Sequence, residues 1–161
     1  GVLNADRRYF ENAVLLNQIS YREAIELAFY GASVIHPKTL QPLQKKEIPL
    51  YVKSFIKPTL PGTKVSKGVD LEPKTSCFIV KKNQVLISLS SIDFSFIMEE
   101  NISEIFGLFH KYKIKVSLIQ NSAISFSVCV EDKFDKFKEL KTILSKKFKV
   151  SYNENVSLYT I

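Results

Sequence analysis

Apolar residues recur with two different periods along this chain, and the change of period divides it. In the first part Ile25, Ala28 and Phe29 fall at helical spacing, the recurrence that keeps one face of a helix apolar. Ser20-Tyr21-Arg22-Glu23 opens that run as a capping box: the serine hydroxyl accepts the backbone N–H three residues on, and the glutamate reaches back. Gly31 stands where a left-handed cap is wanted, so the helix is predicted to stop at about Tyr30. Pro37 suits the first turn of a second helix carrying Thr39, Leu40 and Leu43, and Pro42 is predicted to leave it short or bent. His36 reads as the residue that starts this helix rather than as a base or ligand. "IPLYVKSF" follows as a strand. Lys57 to Thr75 then holds three prolines and two glycines without periodicity, and the domain boundary is expected inside it.

From Asn83 onward strands and helices alternate. Val85, Ile87 and Leu89 share one face of a strand, and Ile102, Ile105, Phe106 and Phe109 make an apolar helix face. Val116 and Leu118 alternate again; Ile124, Phe126, Val128 and Val130 lie opposite Ser125, Ser127 and Cys129. Phe134, Phe137, Leu140, Ile143 and Leu144 predict a second helix face, and Phe148, Val150 and Tyr152 a fourth strand. The order strand, helix, strand, strand, helix, strand predicts an α+β, ferredoxin-like unit, an antiparallel sheet with two helices on one face. Residues 77–82 and 156–161 are also strand-like and have no place in that unit, so they are expected to belong to a second, similar one.

With 45% hydrophobic residues, 12 Phe and 7 Tyr in 161 residues, the chain can build a real core, and no apolar run approaches the roughly 20 residues of a membrane span. Cys77 and Cys129 lie in no zinc or redox spacing, and a reducing cytoplasm fits them best. Gly1 reads as a cut end within a longer protein. The net charge of +7 admits an anionic partner, but the lysines are spread from Lys38 to Lys149 and read mostly as a solvated surface. No pair of carboxylates is placed for acid and base work, and His110 reads as structural or exposed.

"GVLNADRRYF", "ISYREAIELAFYGASVIHPKTLQPLQKKEIPLYVKSF" and "PGT" together resemble the last third of the aspartate kinase catalytic domain, and the remainder resembles the ACT regulatory region of the same enzymes. The resemblance covers nearly the whole chain. It implies residues 1–66 as the end of an amino-acid kinase domain, mainly helical, 67–78 as a linker, and 79–161 as an ACT domain. The segments 77–82 and 156–161 would then be strands of a second ACT unit. The implied parent reaction is phosphorylation of the side-chain carboxylate of L-aspartate with ATP and Mg²⁺, on the way to lysine, threonine and methionine. Such in-line transfer needs positive charge and backbone donors around the phosphoryl group rather than a covalent nucleophile. Arg8 matches the Arg of the family's TDPR loop as a nucleotide contact, Asp6 would orient that loop, Leu3 would pack on the nucleotide, and Ser33 and Val34 would line the same pocket.

The sequence departs from that pattern: Ala5 replaces the family threonine, Arg7 its proline, and Ser33 a lysine near the phosphates. The family's N-terminal Lys-Phe-Gly-Gly loop is absent from the chain, so by itself the fragment is expected to be inactive. ACT units pair edge to edge into dimers and hold a small amino acid where a strand-to-helix loop meets a partner strand. Here Ser95, Met98 and Glu99 mark the loop. Val116, Ser117, Gln120, Asn121, Ser122, Ala123 and Ile124 mark the strand and its turn. Lysine is the first effector implied and threonine the second, with Ser117 standing where lysine-sensitive relatives carry Asp. Two rivals remain at this level: a sensor without kinase activity, or a kinase fused to homoserine dehydrogenase. An RNA-binding reading is disfavoured, because "AISFSVCV" puts its one aromatic among core positions. Neither nucleic acid nor membrane is expected as a partner.

Overall fold

The computed structural model describes residues 1–31 and 35–161. The chain divides into two compact units, residues 1–81 with 159–161, and residues 82–158.

Unit 1 is built on two helices, α1 (Tyr21–Tyr30) and α2 (Pro37–Lys45), with short strands β1 (Val2–Leu3), β2 (Leu15–Leu16), β3 (Gln18–Ser20), β4 (Leu50–Val52) and β5 (Thr63–Ser66). The capping box is formed in full, and Gly31 closes α1 at φ 121°, its N–H donating to the Leu27 carbonyl. The imidazole of His36 accepts the Lys38 N–H at 3.2 Å, as a helix-start residue should. α2 ends after nine residues, with Pro42 inside it. β1 pairs with β2, while β5 lies between β3, parallel to it, and β4, antiparallel. Leu16, Ile19, Leu40 and Val65 are fully buried at the centre of this unit. Gly62 has to be glycine: a Cβ there would lie 2.3 Å from the Val52 carbonyl oxygen.

The Lys57–Thr75 stretch contains β5, a strand too short for its period to register. Leu71 and Cys77, within residues 67–78, pack on the unit 1 core, and the two compact units divide between Lys81 and Lys82.

Unit 2 carries β6 (Ile79–Ser91, from residue 82), α3 (Glu99–Lys111), β7 (Lys115–Asn121), β8 (Ser125–Glu131), α4 (Phe137–Leu144) and β9 (Phe148–Thr160, to residue 158). The sheet order β7-β8-β6-β9 is that of a ferredoxin-like unit. Alternation explains the packing: Val85, Ile87 and Leu89 of β6 stand beside Val130, Val128 and Phe126 of β8. These residues share one core with Ile105 and Phe109 of α3 and Phe137, Leu140 and Leu144 of α4. Both helices therefore cover the same face. Phe134 is a correction: it lies before α4 and is 60% exposed, because the Asp132 carboxylate starts the helix by accepting the N–H groups of Lys136 (2.9 Å) and Phe137 (2.7 Å). Residues 79–82 run on into β6 and residues 156–160 complete β9. Among the described residues no helix is long and apolar enough to cross a membrane.

Candidate functional sites

In unit 1 the first nine residues bend around a cleft of about 350 Å³ whose far wall is Leu27, Gly31 and Phe78–Val80. The bend is tight because the N–H groups of both Tyr9 and Phe10 donate to the Asp6 carbonyl at 2.9 Å. Within it the Arg8 guanidinium grips the Asp6 carboxylate, Nε donating at 3.1 and 3.0 Å and Nη2 at 2.6 Å, while the Arg8 backbone N–H donates at 2.9 Å. These hydrogen bonds hold the Asp6 carboxyl below, and the Arg8 guanidinium above, their ordinary ranges. The Arg8 side chain is 79% exposed. A guanidinium has five N–H groups, and Asp6 engages only those on Nε and Nη2. The rest are directed away from the carboxylate and available to an anion.

Leu3, Asp6 and Arg8, singled out from the sequence, all line this cleft. Ser33 and Val34 lie outside the described residues. Sequence reasoning missed Asn4, which is buried and fixes the loop from beneath: its Oδ1 accepts the Val14 N–H at 2.7 Å and its Nδ2 donates to the Ser76 carbonyl at 3.0 Å. A lone Asn between apolar residues was its only signal. Thr63 was missed as well. Its hydroxyl, fully buried, accepts the Val2 N–H at 2.7 Å and donates to the Leu16 carbonyl at 2.6 Å, tying β1 and β2 to β5.

In unit 2 the loop after β6 closes on the β7–β8 turn. The Ile97 N–H donates to the Ala123 carbonyl at 2.8 Å and the Ser91 N–H to the Ile124 carbonyl at 3.2 Å. The loop is shaped by Asp93, whose carboxylate accepts the Ser95 N–H at 3.1 Å and is held below its ordinary range by its hydrogen bonds from Ser95. Met98 precedes the first residue of α3, Glu99, and its N–H donates to the Asn101 side chain at 3.0 Å. Ser122 meets Ser125 twice, through its N–H at 2.8 Å and between hydroxyls at 2.7 Å.

Ser95, Met98, Glu99, Ser122, Ala123 and Ile124 are thus gathered, exposed, at one end of the sheet. Gln120 and Asn121 are exposed on the edge strand β7 that leads there. Val116 and Ser117 are not part of that gathering. Val116 packs on the core, and Ser117, where β7 bulges between Val116 and Leu118, is buried and donates to Gln84 Oε1 at 3.1 Å. At about 3.3 Å per residue Ser117 lies some 13 Å along the strand from Asn121. Among the described residues no cluster of three or more His, Cys, Asp or Glu is placed to hold a metal ion.

Residues 1–54 match the model of the amino acid kinase family. The chain is 30% identical over 131 residues to the lysine-sensitive aspartokinase 3 of Escherichia coli, an alignment covering 81% of this chain and 29% of that protein. The crystal structure of E. coli aspartokinase III with lysine and aspartate, in its T-state, superimposes on 99% of this chain with a TM-score of 0.83 at 28% identity, over 36% of its own length. The R-state of E. coli aspartokinase III, with aspartate and ADP, gives a TM-score of 0.80 at 28% identity, again over 99% of this chain and 37% of that one. The chain therefore spans about a third of the length of the proteins it matches.

Proposed function

This chain belongs to the aspartokinase family, and from that premise we propose that it is the regulatory fragment of an enzyme that phosphorylates the side-chain carboxylate of L-aspartate with ATP, unit 1 closing the nucleotide site and unit 2 sensing an amino acid. The reading is carried by one observation: the exposed Arg8 is held by Asp6 at the lip of a cleft, with N–H groups left over for an anion. A phosphoryl group in transfer is stabilised by such pre-oriented positive charge, which loses little freedom on binding. Asp6 orients Arg8, Asn4 anchors the loop that carries both, and Leu3 offers an apolar surface to the nucleotide. The Mg²⁺ that such a reaction uses finds no matching donor set among the described residues. The segment from residue 1 to 66 is taken as the end of the catalytic domain and 79–161 as an ACT domain.

In unit 2 the amino-acid effector is assigned to the exposed end of the sheet, with its carboxylate at the first turn of α3 and its side chain toward Gln120, Asn121 and Ser122. Lysine remains the first candidate and threonine the second. Homodimerisation through β7 would cover Leu118 and Ile119, about half exposed on that edge strand, and remove the liability of a bare edge. Effector binding would change substrate affinity in the parent by a coupling of about 1–3 kcal/mol.

The fragment itself is expected to release no ADP from ATP in the presence of aspartate, whereas the full-length protein does, and Arg8→Gln in the latter lowers kcat/KM. Full-length protein that binds lysine or threonine in calorimetry but never turns over would be a sensor without kinase activity and would overturn the catalytic half. Absence of binding by either amino acid would overturn the regulatory half.

A further inference from the structure

Lysines are dense in one stretch of unit 2. Residues 133–149 hold seven lysines against Asp135 and Glu139, a surplus of five in a chain whose net charge is +7. That stretch folds as the approach to α4, α4 itself and the first residues of β9. Burial of Phe137, Leu140 and Leu144 fixes the rotation of α4. Residues 138, 141, 142 and 145, at spacing i, i+3, i+4 and i+7, therefore share a solvent-facing flank. Lys138, Lys141, Thr142 and Ser145 line an open cleft of about 480 Å³ together with Phe137 and Tyr152, and no carboxylate lines it.

The lysines of the cleft keep their charge available. The Lys141 ammonium sits 4.4 Å above the centre of the Tyr152 ring, which is itself braced edge-on by Phe137 at 5.1 Å. A ring positions a cation through its quadrupole without neutralising it. Lys138 has only Asp135, at 3.9 Å, and both side chains are more than three-quarters exposed, a pairing that contributes little and yields readily. The Thr142 hydroxyl donates to the Lys138 carbonyl at 3.2 Å. Lys136 and Lys147 are paired with Glu139 and Glu104. Among the described residues, Lys146 and Lys149 take part in no ion pair and add to the local potential. Lys138 and Lys141 project from one helix flank with Cβ atoms about 5–6 Å apart, so both flexible side chains can reach one anion.

We propose that this flank of α4 is a binding site for a linear polyphosphate group, either free or as the tail of a nucleotide. Two or three linked phosphates can bridge Lys138 and Lys141, and the hydroxyls of Ser145 and Tyr152 are donors of the kind that phosphate oxygens accept. A single compact dianion can engage only one end of the site.

The test is an amide NMR titration of the whole chain with tripolyphosphate, with sulfate as the compact comparison, at about 50 and 150 mM salt. Saturable shifts confined to residues 138–145 and Tyr152, at least tenfold tighter for tripolyphosphate than for sulfate, are expected. Lys138→Gln/Lys141→Gln should lose tenfold or more in affinity, Lys141→Arg should keep it within about threefold, and Lys113→Gln/Lys115→Gln, on the β7 side of the unit, should change it less than twofold. A nucleoside triphosphate that shifts the same residues more tightly than tripolyphosphate identifies a nucleotide tail, and equal affinity identifies the phosphates alone. Shifts that never saturate, or equal losses in the two double variants with both folds intact by circular dichroism, would show diffuse charge attraction and overturn the site.

Discussion

At the scale of single residues, the decisive groups are polar ones committed to fixed partners. Thr63 is the clearest. Replacing it with Val keeps the shape but strands the Val2 N–H and the Leu16 carbonyl, both otherwise served by its hydroxyl in a fully buried position. A cost of about 1–3 kcal/mol is expected from two unmet partners, read as a lower urea midpoint with an unchanged slope, and Thr63→Ser should recover most of it. The Asp6–Arg8 pair gives a pH prediction. Arg8 lowers the Asp6 pKa in the folded state; the pair therefore stabilises the fold above the ordinary aspartate range and loses that effect as pH falls through the lowered value. Carbon-detected NMR of the Asp6 carboxyl should titrate below the ordinary value, and in Arg8→Gln it should return upward; no movement would show that Arg8 is not the cause. His36 was legible in the sequence because a residue before Pro at a helix start has one obvious task. Ser117 was not, because a bulge shifts the register of β7 by one residue and alternation alone cannot reveal where that happens.

At the scale of elements, what could be read depended on length and locality. α1, α3, α4 and the strands of unit 2 run for seven to thirteen residues, enough for their periods to emerge. β1, β2, β3 and β5 have two to four residues, and β3 finds its partner β5 some 46 positions away, Gln18 beside Lys64. No local pattern encodes such a pairing. The start of α4 was misread for a related reason: the apolar Phe134 extended the helical pattern, while the real signal was Asp132, four residues before the first N–H it accepts. This makes Asp132 the element's cap in function. Asp132→Ala should cost about 0.5–2 kcal/mol and speed hydrogen exchange at the Lys136 and Phe137 amides selectively. Exchange that rises evenly over the whole of α4 would mean that the carboxylate only contributes charge at the helix start.

At the scale of the whole molecule, the two apolar cores share no residue: one draws only on residues 82–158, the other on residues 1–81. The sequence already separated a helix pair from a ferredoxin-like unit, whereas Leu71 and Cys77 carry no periodicity that would tie them to Ile19 or Leu40. Private cores imply private responses to cavities. Leu140→Ala removes a fully buried side chain from unit 2 and should destabilise that unit by about 2–5 kcal/mol. Leu16→Ala should do the same in unit 1, where Leu16 is equally buried. Urea unfolding followed by residue-resolved NMR distinguishes the units: each variant should lower the midpoint of its own unit by more than that of the other. Equal shifts in both units for both variants would mean that the chain unfolds as one cooperative body. In that case a ligand binding only the folded state of unit 2 would stabilise unit 1 to the same extent, so the comparison also measures how much of an effector's binding energy this chain transmits.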